Sequence, residues 1–189
     1  MARYGPGVTK IYTKTGDDGT TGLLFGGRVS KADTLVDAYG DIDEAVAALG
    51  VARAACTDGE LATVLLHLQR GLFVAAADLA ANPRRRDRLE ASISRIDPEQ
   101  VDELEQTIDR LVGERPLRPV FVVPGSNPLA AALDLARTVL RRAERHAVHA
   151  ADDGHTVSTH VVAYLNRLGD LVYVLARRAA GDDEPVSHG

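Results

Sequence analysis

Three arginines and a glutamate recur in residues 137–145 at the spacing of neighbours on one helix face. Arg137, Arg141, Glu144 and Arg145 lie three or four positions apart, so an α-helix places them side by side. Guanidiniums this close repel one another, and a polyanion relieves that repulsion because a guanidinium fork binds two phosphate oxygens at once. We interpret these four residues, the arginine stripe, as a polyphosphate site. The competing interpretation is a set of surface ion pairs with local carboxylates.

The segment before the first helix has the composition of a phosphate cradle. Glycines and threonines dominate the run from Thr13 to Gly22, and Lys14 and Lys31 add positive charge. Glycines let backbone N–H groups turn toward an anion, and threonines add hydroxyl donors. Neither a Walker A loop nor a GxGxxG fingerprint is present. A plain turn-rich arm is an equally good interpretation of composition alone.

Asn166 and Asp170 form a third constellation, four residues apart on one helix face. An amide oxygen and a carboxylate at this spacing suit a hydrated Mg²⁺ ion. A helix–helix hydrogen-bond network would use the same pair equally well, and the sequence leaves both interpretations open.

Other polar groups carry no chemistry in this interpretation. His146 and His149 have the spacing of a metal pair, but acidic residues follow them at a helix end, which indicates exposed histidines. The arginine-rich run 84–88 is typical of a solvated connection. Cys56 lies in a predicted helix without an activating partner. Because no protein nucleophile stands out, the nucleophile is expected to arrive with a second substrate.

The elements that must position these residues are helices. Apolar residues recur every three or four positions in five segments, predicted as helices over 35–56, 61–82, 97–112, 128–151 and 156–180. Asp97 before Pro98 is predicted to cap the third helix, and Gly113 to end it. An apolar face beside the arginine stripe is predicted from Leu133, Leu140, Ala143 and Ala147, and core-facing positions beside Asn166 from Leu165, Leu168 and Leu171. Short connections predict an all-α fold, a five-helix antiparallel bundle with an ordered N-terminal loop arm. We expect an arm over 1–33 with a short strand over 9–13, a single bundle domain over 34–181 and a flexible tail over 182–189. The apolar run 120–123 is predicted to be extended or packed in the core.

Composition limits the function classes. The 189-residue chain has a net charge of -5 and only 4% aromatic residues, which argues against nucleic acid as a partner. No uncharged apolar stretch of about 18 residues is apparent, so no membrane span is expected. A single cysteine and an N-terminus without an apolar signal region favour a cytoplasmic protein.

With these motifs in place, the chain resembles the ATP:cob(I)alamin adenosyltransferases of the propanediol-utilisation type. Three blocks carry the resemblance, residues 10–17, 137–145 and 164–177, and residues 39–44 and 121–125 add weaker matches. The chain departs from the family pattern at several positions, among them Asp18, where a lysine is common, and Gly169, where a serine is frequent. The resemblance implies a homotrimeric helical bundle that binds ATP between subunits.

The resemblance also implies roles for individual residues. Phe121 would lie under the corrin ring and displace the lower ligand of cobalt, and Arg141 and Arg145 would act with it as catalytic residues. Asp43 would pair with Arg137 across the subunit interface. Asn166 would help to place Mg²⁺. The implied ATP-binding residues are Thr13, Lys14, Thr15, Gly16, Thr21, Gly22, Lys31, Arg141, Arg142, Glu144, Arg145 and Asn166. Arg142 points away from the stripe, so it is the weaker candidate for ATP contact, and a role in packing or at the subunit interface is the alternative.

The implied reaction transfers the 5′-deoxyadenosyl group of ATP to cob(I)alamin, with cobalt(I) as nucleophile and triphosphate as leaving group. This agrees with the missing protein nucleophile. A flavin-type reductase and an adenosylcobalamin-dependent mutase are the candidate partners. Two alternatives stay open: a cobalamin carrier that delivers finished cofactor to a mutase, and another ATP-dependent transferase that uses the same arginines.

Overall fold

The computed structural model describes residues 11–182 and 184–188, and five α-helices dominate that part of the chain. A two-stranded sheet precedes them, and a 3₁₀ turn, Pro83–Arg88, follows the second helix. The all-α five-helix bundle predicted from periodicity is confirmed. The elements are β1 Thr20–Gly22, β2 Arg28–Ser30, α1 Thr34–Ala55, α2 Gly59–Leu79, α3 Pro98–Glu114, α4 Pro128–Asp152 and α5 Thr159–Ala180.

Side-chain caps fix where the helices begin. The predicted cap at Asp97 is a full capping box, in which its carboxylate accepts from the Gln100 N–H while the Gln100 side chain accepts from the Asp97 N–H. Burial raises the pKa of Asp97, but hydrogen bonds from Ser92 and Gln100 outweigh it and leave that pKa lowered. Helix α5 begins at Thr159 rather than at residue 156, because the Ser158 hydroxyl caps it there.

The predicted stop of α3 at Gly113 is wrong. The helix continues to Glu114, and the N–H of the C-cap residue Arg115 donates to the Leu111 carbonyl. Glu114 is held in the last turn by ion pairs with Arg110 and with Arg178 of α5, each at 3.1 Å. Tertiary contacts therefore outweigh the helix-ending tendency of glycine at this position.

Polar contacts along the helices define the topology of the bundle. α4 runs antiparallel to α1, since His155, just beyond the end of α4, lies 3.1 Å from Asp33 at the start of α1. α5 runs antiparallel to α4, and its Arg177 reaches Asp134 near the start of α4. α3 lies beside α5 in the parallel direction, with Arg167 bound to Glu105. The arginine stripe is thereby placed on the helix that packs against both α1 and α5.

The core follows the predicted faces of α4 and α5. Leu133, Leu140, Ala143 and Ala147, which were assigned to an apolar face beside the stripe, are buried. The same holds for the three leucines that flank Asn166 on α5, Leu165, Leu168 and Leu171. Burial of these residues drives the packing of α4 against its neighbours, and it orients the stripe away from the core.

Two helical glycines sit in opposite environments. A Cβ on Gly71 of α2 would lie 1.9 Å from the Tyr164 hydroxyl oxygen, so only glycine leaves room for this buried ring. Burial raises the pKa of Tyr164 well above its usual value. A Cβ on Gly169 of α5 would meet only Arg141 Cγ, at 3.9 Å, which is an ordinary contact. The serine frequent at this position in the family would therefore fit.

The N-terminal arm is a β-hairpin anchored to the end of α2. β1 and β2 pair antiparallel with Thr21 opposite Val29. The Leu24 N–H donates to the Ala80 carbonyl at 2.8 Å, and the Asn82 side chain donates to the Gly26 carbonyl at 2.7 Å. The strand predicted over 9–13 is not formed at residues 11–13, and residues 9 and 10 lie outside the described part.

The segment between α3 and α4 is extended and exposed rather than packed in the core. Val122 forms an antiparallel bridge with Val186, and the neighbouring Phe121 and Val123 are exposed. The sequence predicts a flexible tail over 182–189, whereas the described tail residues make backbone hydrogen bonds to this segment.

By length and composition, one helix in the described part of the chain could cross a membrane. An 18-residue window of α2 reaches a mean hydropathy of 1.2, which the sequence-based expectation of no span overlooked. Core helices of water-exposed bundles meet the same criterion, and Leu65, Leu68, Leu72 and Leu79 of α2 are buried among the other helices.

Candidate functional site

The arginine stripe presents two unneutralised guanidiniums. Arg141 and Arg145 are exposed on α4, and neither has an ion-pair partner among the described residues. Within residues 11–182 and 184–188, the Arg145 side chain donates only to the backbone carbonyl of Arg141, at 3.1 Å. Glu144, between them, accepts a 2.9 Å hydrogen bond from the Asn166 amide instead of pairing with either arginine. Local carboxylates therefore do not satisfy the stripe, which disfavours the surface ion-pair interpretation.

Arg137 differs from the other two arginines of the stripe. Its Nε lies 3.9 Å from Asp134, too far for a hydrogen bond, and is buried without a hydrogen-bond partner in the part of the chain that the structure describes. Its guanidinium also lies over the Tyr173 ring, 5.7 Å from the centroid. Asp43, its predicted partner across a subunit interface, is exposed on α1 and makes no ion pair within the described chain.

Arg142 turns toward α1, away from the stripe. Its Nε donates to Asp41 at 3.1 Å, and its Nη2 contacts Glu44. His146 Nδ1 lies 2.7 Å from the same Asp41 carboxylate. These contacts join α4 to α1, so the geometry favours the packing alternative for Arg142 over contact with a ligand.

A cleft of about 330 Å³ opens between α4, α5 and the extended segment after α3. The exposed ring of Phe121 lies at its edge together with Arg137 and Arg141, while Asp170 borders it from α5. This volume is at the low end for one small-molecule ligand, so the cleft of a single chain cannot enclose two large substrates. The lining residues are Phe121, Val122, Pro124, Asp134, Arg137, Arg141, Gly169, Asp170, Tyr173 and Arg177.

A polar chain runs from α3 to the stripe. Arg167 donates through Nε to Glu105 at 2.7 Å and through Nη1 to the Asn166 amide oxygen. The Asn166 amide nitrogen then donates to Glu144. Because both ends of its amide are hydrogen-bonded, Asn166 holds the Glu144 carboxylate in place. Glu144 Oε2 has no hydrogen-bond partner among the described residues. Asp170, expected to share a site with Asn166, faces the cleft instead.

The arm holds its shape through Arg28. Its guanidinium donates to the Thr15 carbonyl and to the Thr20 hydroxyl, and it lies 3.7 Å from Asp18. The Asp18 carboxylate accepts from both the N–H and the hydroxyl of Thr20. Those hydrogen bonds lower the pKa of Asp18. Asp18, which departs from the lysine common in the family, is therefore part of the turn structure.

The two lysines of the arm are exposed, as a phosphate cradle requires. The Lys31 ammonium lies close to Gly16, where an added Cβ would be only 3.2 Å from its Nζ. Lys14 has a left-handed backbone with φ 62°, a conformation that costs energy for a side chain other than glycine. No hydrogen bond or ion pair joins this arm to Arg141 or Arg145 within the described residues.

The remaining predictions for charged groups have mixed outcomes. No group of three or more potential metal ligands occurs in the described residues, and His149 faces Asp153 at 3.8 Å. The interpretation of residues 84–88 as a solvated connection is wrong for Arg86, which is paired with the buried Asp78. Arg88 is exposed, and its guanidinium lies over the Phe25 ring of the arm.

Sequence reasoning missed three residues that shape the cleft. Asp134, Tyr173 and Arg177 line it, and Arg177 is buried between the carboxylates of Asp134 and Glu184. A buried arginine at the end of a helix gives no periodicity signal, because its partners come from distant parts of the chain. The i, i+3 spacing of Asp134 and Arg137 was the one local signal that Asp134 lies beside the stripe.

Comparison with known proteins identifies relatives of this arrangement. Residues 11–179 match the family model described as cobalamin adenosyltransferase. A corrinoid adenosyltransferase of Mycobacterium bovis is 45% identical over 184 residues, covering 94% of this chain and 92% of the relative. Among solved structures, a phenylalanine-to-histidine variant of a PduO-type ATP:corrinoid adenosyltransferase from Lactobacillus reuteri, complexed with cobalamin and ATP, superposes with a TM-score of 0.83. It is 31% identical and covers 94% of this chain and 95% of its own. An arginine-to-lysine variant of that enzyme type, complexed with ATP, gives a TM-score of 0.81 at 30% identity, covering 93% and 98% of the two chains.

Proposed function

Because this chain belongs to the cobalamin adenosyltransferase family, we propose that it transfers the 5′-deoxyadenosyl group of ATP to the cobalt of cob(I)alamin. The cobalt(I) electron pair forms a bond to the 5′ carbon, the carbon–oxygen bond to the triphosphate breaks, and triphosphate leaves with that bonding pair. Cobalt rises formally from I to III, so no protein nucleophile is required.

The observation that carries this proposal is the pair of exposed guanidiniums at Arg141 and Arg145. Neither is neutralised within the described chain, whereas Arg142 beside them is paired twice with α1. Charged donors that are positioned before the reaction stabilise negative charge as it develops on a leaving group. The triphosphate of ATP gains such charge when the 5′ carbon–oxygen bond breaks, so this is where the two arginines act.

The same site would be completed by a second copy of the chain. The described part of the arm, with Thr13 to Gly16, Thr21, Gly22 and Lys31, makes no polar contact with Arg141 or Arg145 of the same chain. In a homotrimer the arm of one subunit would wrap ATP against the arginines of the next. Asp43, which has no ion-pair partner among residues 11–182 and 184–188, would meet Arg137 at the same interface.

Phe121 would serve the cobalt side of the reaction. Phe121 is 84% exposed at the edge of the cleft, and the neighbouring Val120 and Val123 are exposed as well; a contiguous exposed apolar patch is typical of a surface that a ligand or partner covers. Covered by a corrin ring, the Phe121 side chain would occupy the lower face of cobalt and exclude the axial ligand from it. Loss of that ligand makes cobalt(II) easier to reduce, which helps a flavin-type reductase to generate the nucleophile.

Mg²⁺ would accompany ATP. This ion is usually bound by one or two carboxylates together with substrate phosphates, and Glu144 offers a carboxylate oxygen without a partner in the described chain. The Asn166 oxygen accepts from Arg167, so Asn166 would act by holding Glu144 in place as well as by approaching the ion. When bound, Mg²⁺ would neutralise charge on the triphosphate.

Product analysis tests the proposal. The chain is incubated with ATP and chemically reduced cobalamin without oxygen, and the phosphorus products are identified by NMR. Adenosyl transfer yields inorganic triphosphate together with adenosylcobalamin. Diphosphate or phosphate would indicate another ATP-dependent transferase. Unchanged ATP with bound adenosylcobalamin would indicate a carrier that delivers cofactor to a mutase.

A further inference from the structure

The described C-terminal residues 184–188, here called the strap, run antiparallel beside the Phe121 segment. The Ser187 N–H donates to the Phe121 carbonyl at 2.8 Å, and the Val123 N–H donates to the Pro185 carbonyl at 2.8 Å. Val122 and Val186 lie opposite each other between these bonds. The backbone on both sides of Val122 is therefore tied to the end of the chain.

A buried ion pair anchors the start of the strap. Glu184 is 6% exposed, and its carboxylate accepts from Arg177, which is 8% exposed at the end of α5. The other Nη of Arg177 contacts Asp134 on α4. Breaking a buried pair by removing one partner leaves an uncompensated charge, so Glu184 fixes the register of the strap against α4 and α5.

A second arginine holds the same end of the strap from the Phe121 side. Arg118 Nη1 donates to the Glu184 carbonyl at 3.2 Å and to the Asp182 carbonyl at 3.1 Å. The chain after α5 is thus tied to the segment around Phe121 twice, by Arg118 at the start of the strap and by the backbone pairing around Val122 and Val186. The strap lies outside the region that matches the family model, which ends at residue 179, whereas its partners Arg118 and residues 121–123 lie within that region.

The strap matters for the position of Phe121, because the ring of this residue is exposed. Packing does not fix a side chain this exposed, so its position depends on the backbone that carries it. Ordering a mobile segment when a ligand binds costs free energy, and a segment held in place beforehand avoids that cost. The hydrogen bond from Ser187 falls on the carbonyl of Phe121 itself.

We propose that Glu184 and Ser187 are positioning residues for the corrin step, which act by holding the Phe121 backbone where its ring excludes the lower ligand of cobalt. The proposal rests on the role of Phe121 given above. It predicts that the strap affects ligand exclusion and not ATP binding, because Arg141, Arg145 and arm residues 11–33, the part of the arm that the structure describes, make no hydrogen bond to residues 184–188.

Two substitutions at one position separate the backbone bond from the side chain. Ser187→Pro removes the N–H that donates to Phe121, and Ser187→Ala keeps it. Among the described residues, the Ser187 hydroxyl forms a hydrogen bond only with the adjacent His188. In the full chain with ATP and cob(II)alamin, electron paramagnetic resonance reports the fraction of cobalt that has lost its axial nitrogen. We expect Ser187→Pro to lower the equilibrium constant for that loss about two- to tenfold, the range for one net hydrogen bond. Ser187→Ala should match the parent, and the ATP dissociation constant should be unchanged in both.

Glu184→Gln tests the anchor without shortening the side chain and should shift the signal in the same direction. Equal signals from Ser187→Pro and Ser187→Ala would overturn the inference, as would a parallel loss of ATP affinity in Ser187→Pro. Phe121→Ala serves as the arbiter. If the axial nitrogen stays bound in Phe121→Ala but is lost in Ser187→Pro as in the parent, the strap proposal alone fails. If Phe121→Ala loses the axial nitrogen as the parent does, the proposed role of Phe121 fails.

Discussion

Arg141→Ala is the most direct test of the phosphate site. Arg141 is exposed, and within the described chain its guanidinium has no ion pair that the substitution would break. A hydrogen bond to a charged group contributes about 1.5–3 kcal/mol, and each ~1.36 kcal/mol of lost transition-state stabilisation is a factor of ten in rate. We therefore expect kcat/KM for ATP to fall by about 10- to 150-fold. Arg141→Lys keeps the charge but loses the two-pronged guanidinium, so its kcat/KM for ATP should lie between the values of the parent and Arg141→Ala.

The stability of the same variants distinguishes a lost ligand contact from a damaged fold. Substitution of an exposed, unpaired residue changes the free energy of unfolding by about 0.5 kcal/mol or less. Arg142→Ala is the matched control one residue along the helix. It removes the contacts with Asp41 and Glu44, which at their partial exposure contribute at most about 1 kcal/mol each. This control should lose stability while kcat/KM for ATP falls much less than in Arg141→Ala.

The measurements are initial rates of adenosylcobalamin formation over a range of ATP concentrations without oxygen, and urea unfolding of each variant. A threefold or smaller fall in kcat/KM for Arg141→Ala, with unchanged stability, would refute the assignment of Arg141 to the triphosphate. A larger fall in Arg142→Ala than in Arg141→Ala would show that the stripe faces its ligand differently.

Three further outcomes follow from the described contacts. Gly71→Ala should lower the free energy of unfolding by about 1–3 kcal/mol through overpacking, whereas Gly169→Ala should raise it by about 0.5–1 kcal/mol; urea unfolding with the same sign for both would contradict these environments. Asp97→Ala should cost about 0.5–2 kcal/mol at pH 7. Since the folded pKa of Asp97 is lowered, this cost is fully present above its unfolded value of 3.8 and shrinks as the pH falls below it; a cost that persists unchanged at pH 3 would show that the charge plays no part. Asp43→Arg should weaken the proposed trimer and a compensating Arg137→Asp should restore it, as measured by sedimentation; an unaltered assembly in Asp43→Arg would contradict the proposed interface pair.

Local sequence signals were sufficient to predict the five helices and their buried faces, though not every helix end. The apolar repeat in α4 correctly separated Leu133 and Leu140 from the stripe, and Asp97 with Pro98 marked the start of α3. These features depend on residues within a few positions of one another, and sequence periodicity reports such relations well. The stop at Gly113 failed because ion pairs from other turns decided where that helix ends.

Features built from distant residues were beyond sequence reasoning. The hairpin of the arm depends on its attachment to Ala80 and Asn82 at the end of α2, more than 50 positions away. The burial of Arg177 requires carboxylates from two other parts of the chain. A tail of charged and small residues has the composition of a mobile end, and only the fold shows that its backbone pairs with residues 121–123.

The cleft joins the two halves of the proposed reaction. Arg141 faces it beside Phe121, so the group that would stabilise the leaving triphosphate lies close to the group that would free cobalt for attack. Attack on the 5′ carbon requires both substrates to be aligned, and alignment of two bound reactants can supply a large share of a rate enhancement. The two residues lie in different kinds of structure: Arg141 in helix α4, and Phe121 in an exposed extended segment. The rigidity of the Phe121 side, and with it the alignment, would then depend on the strap.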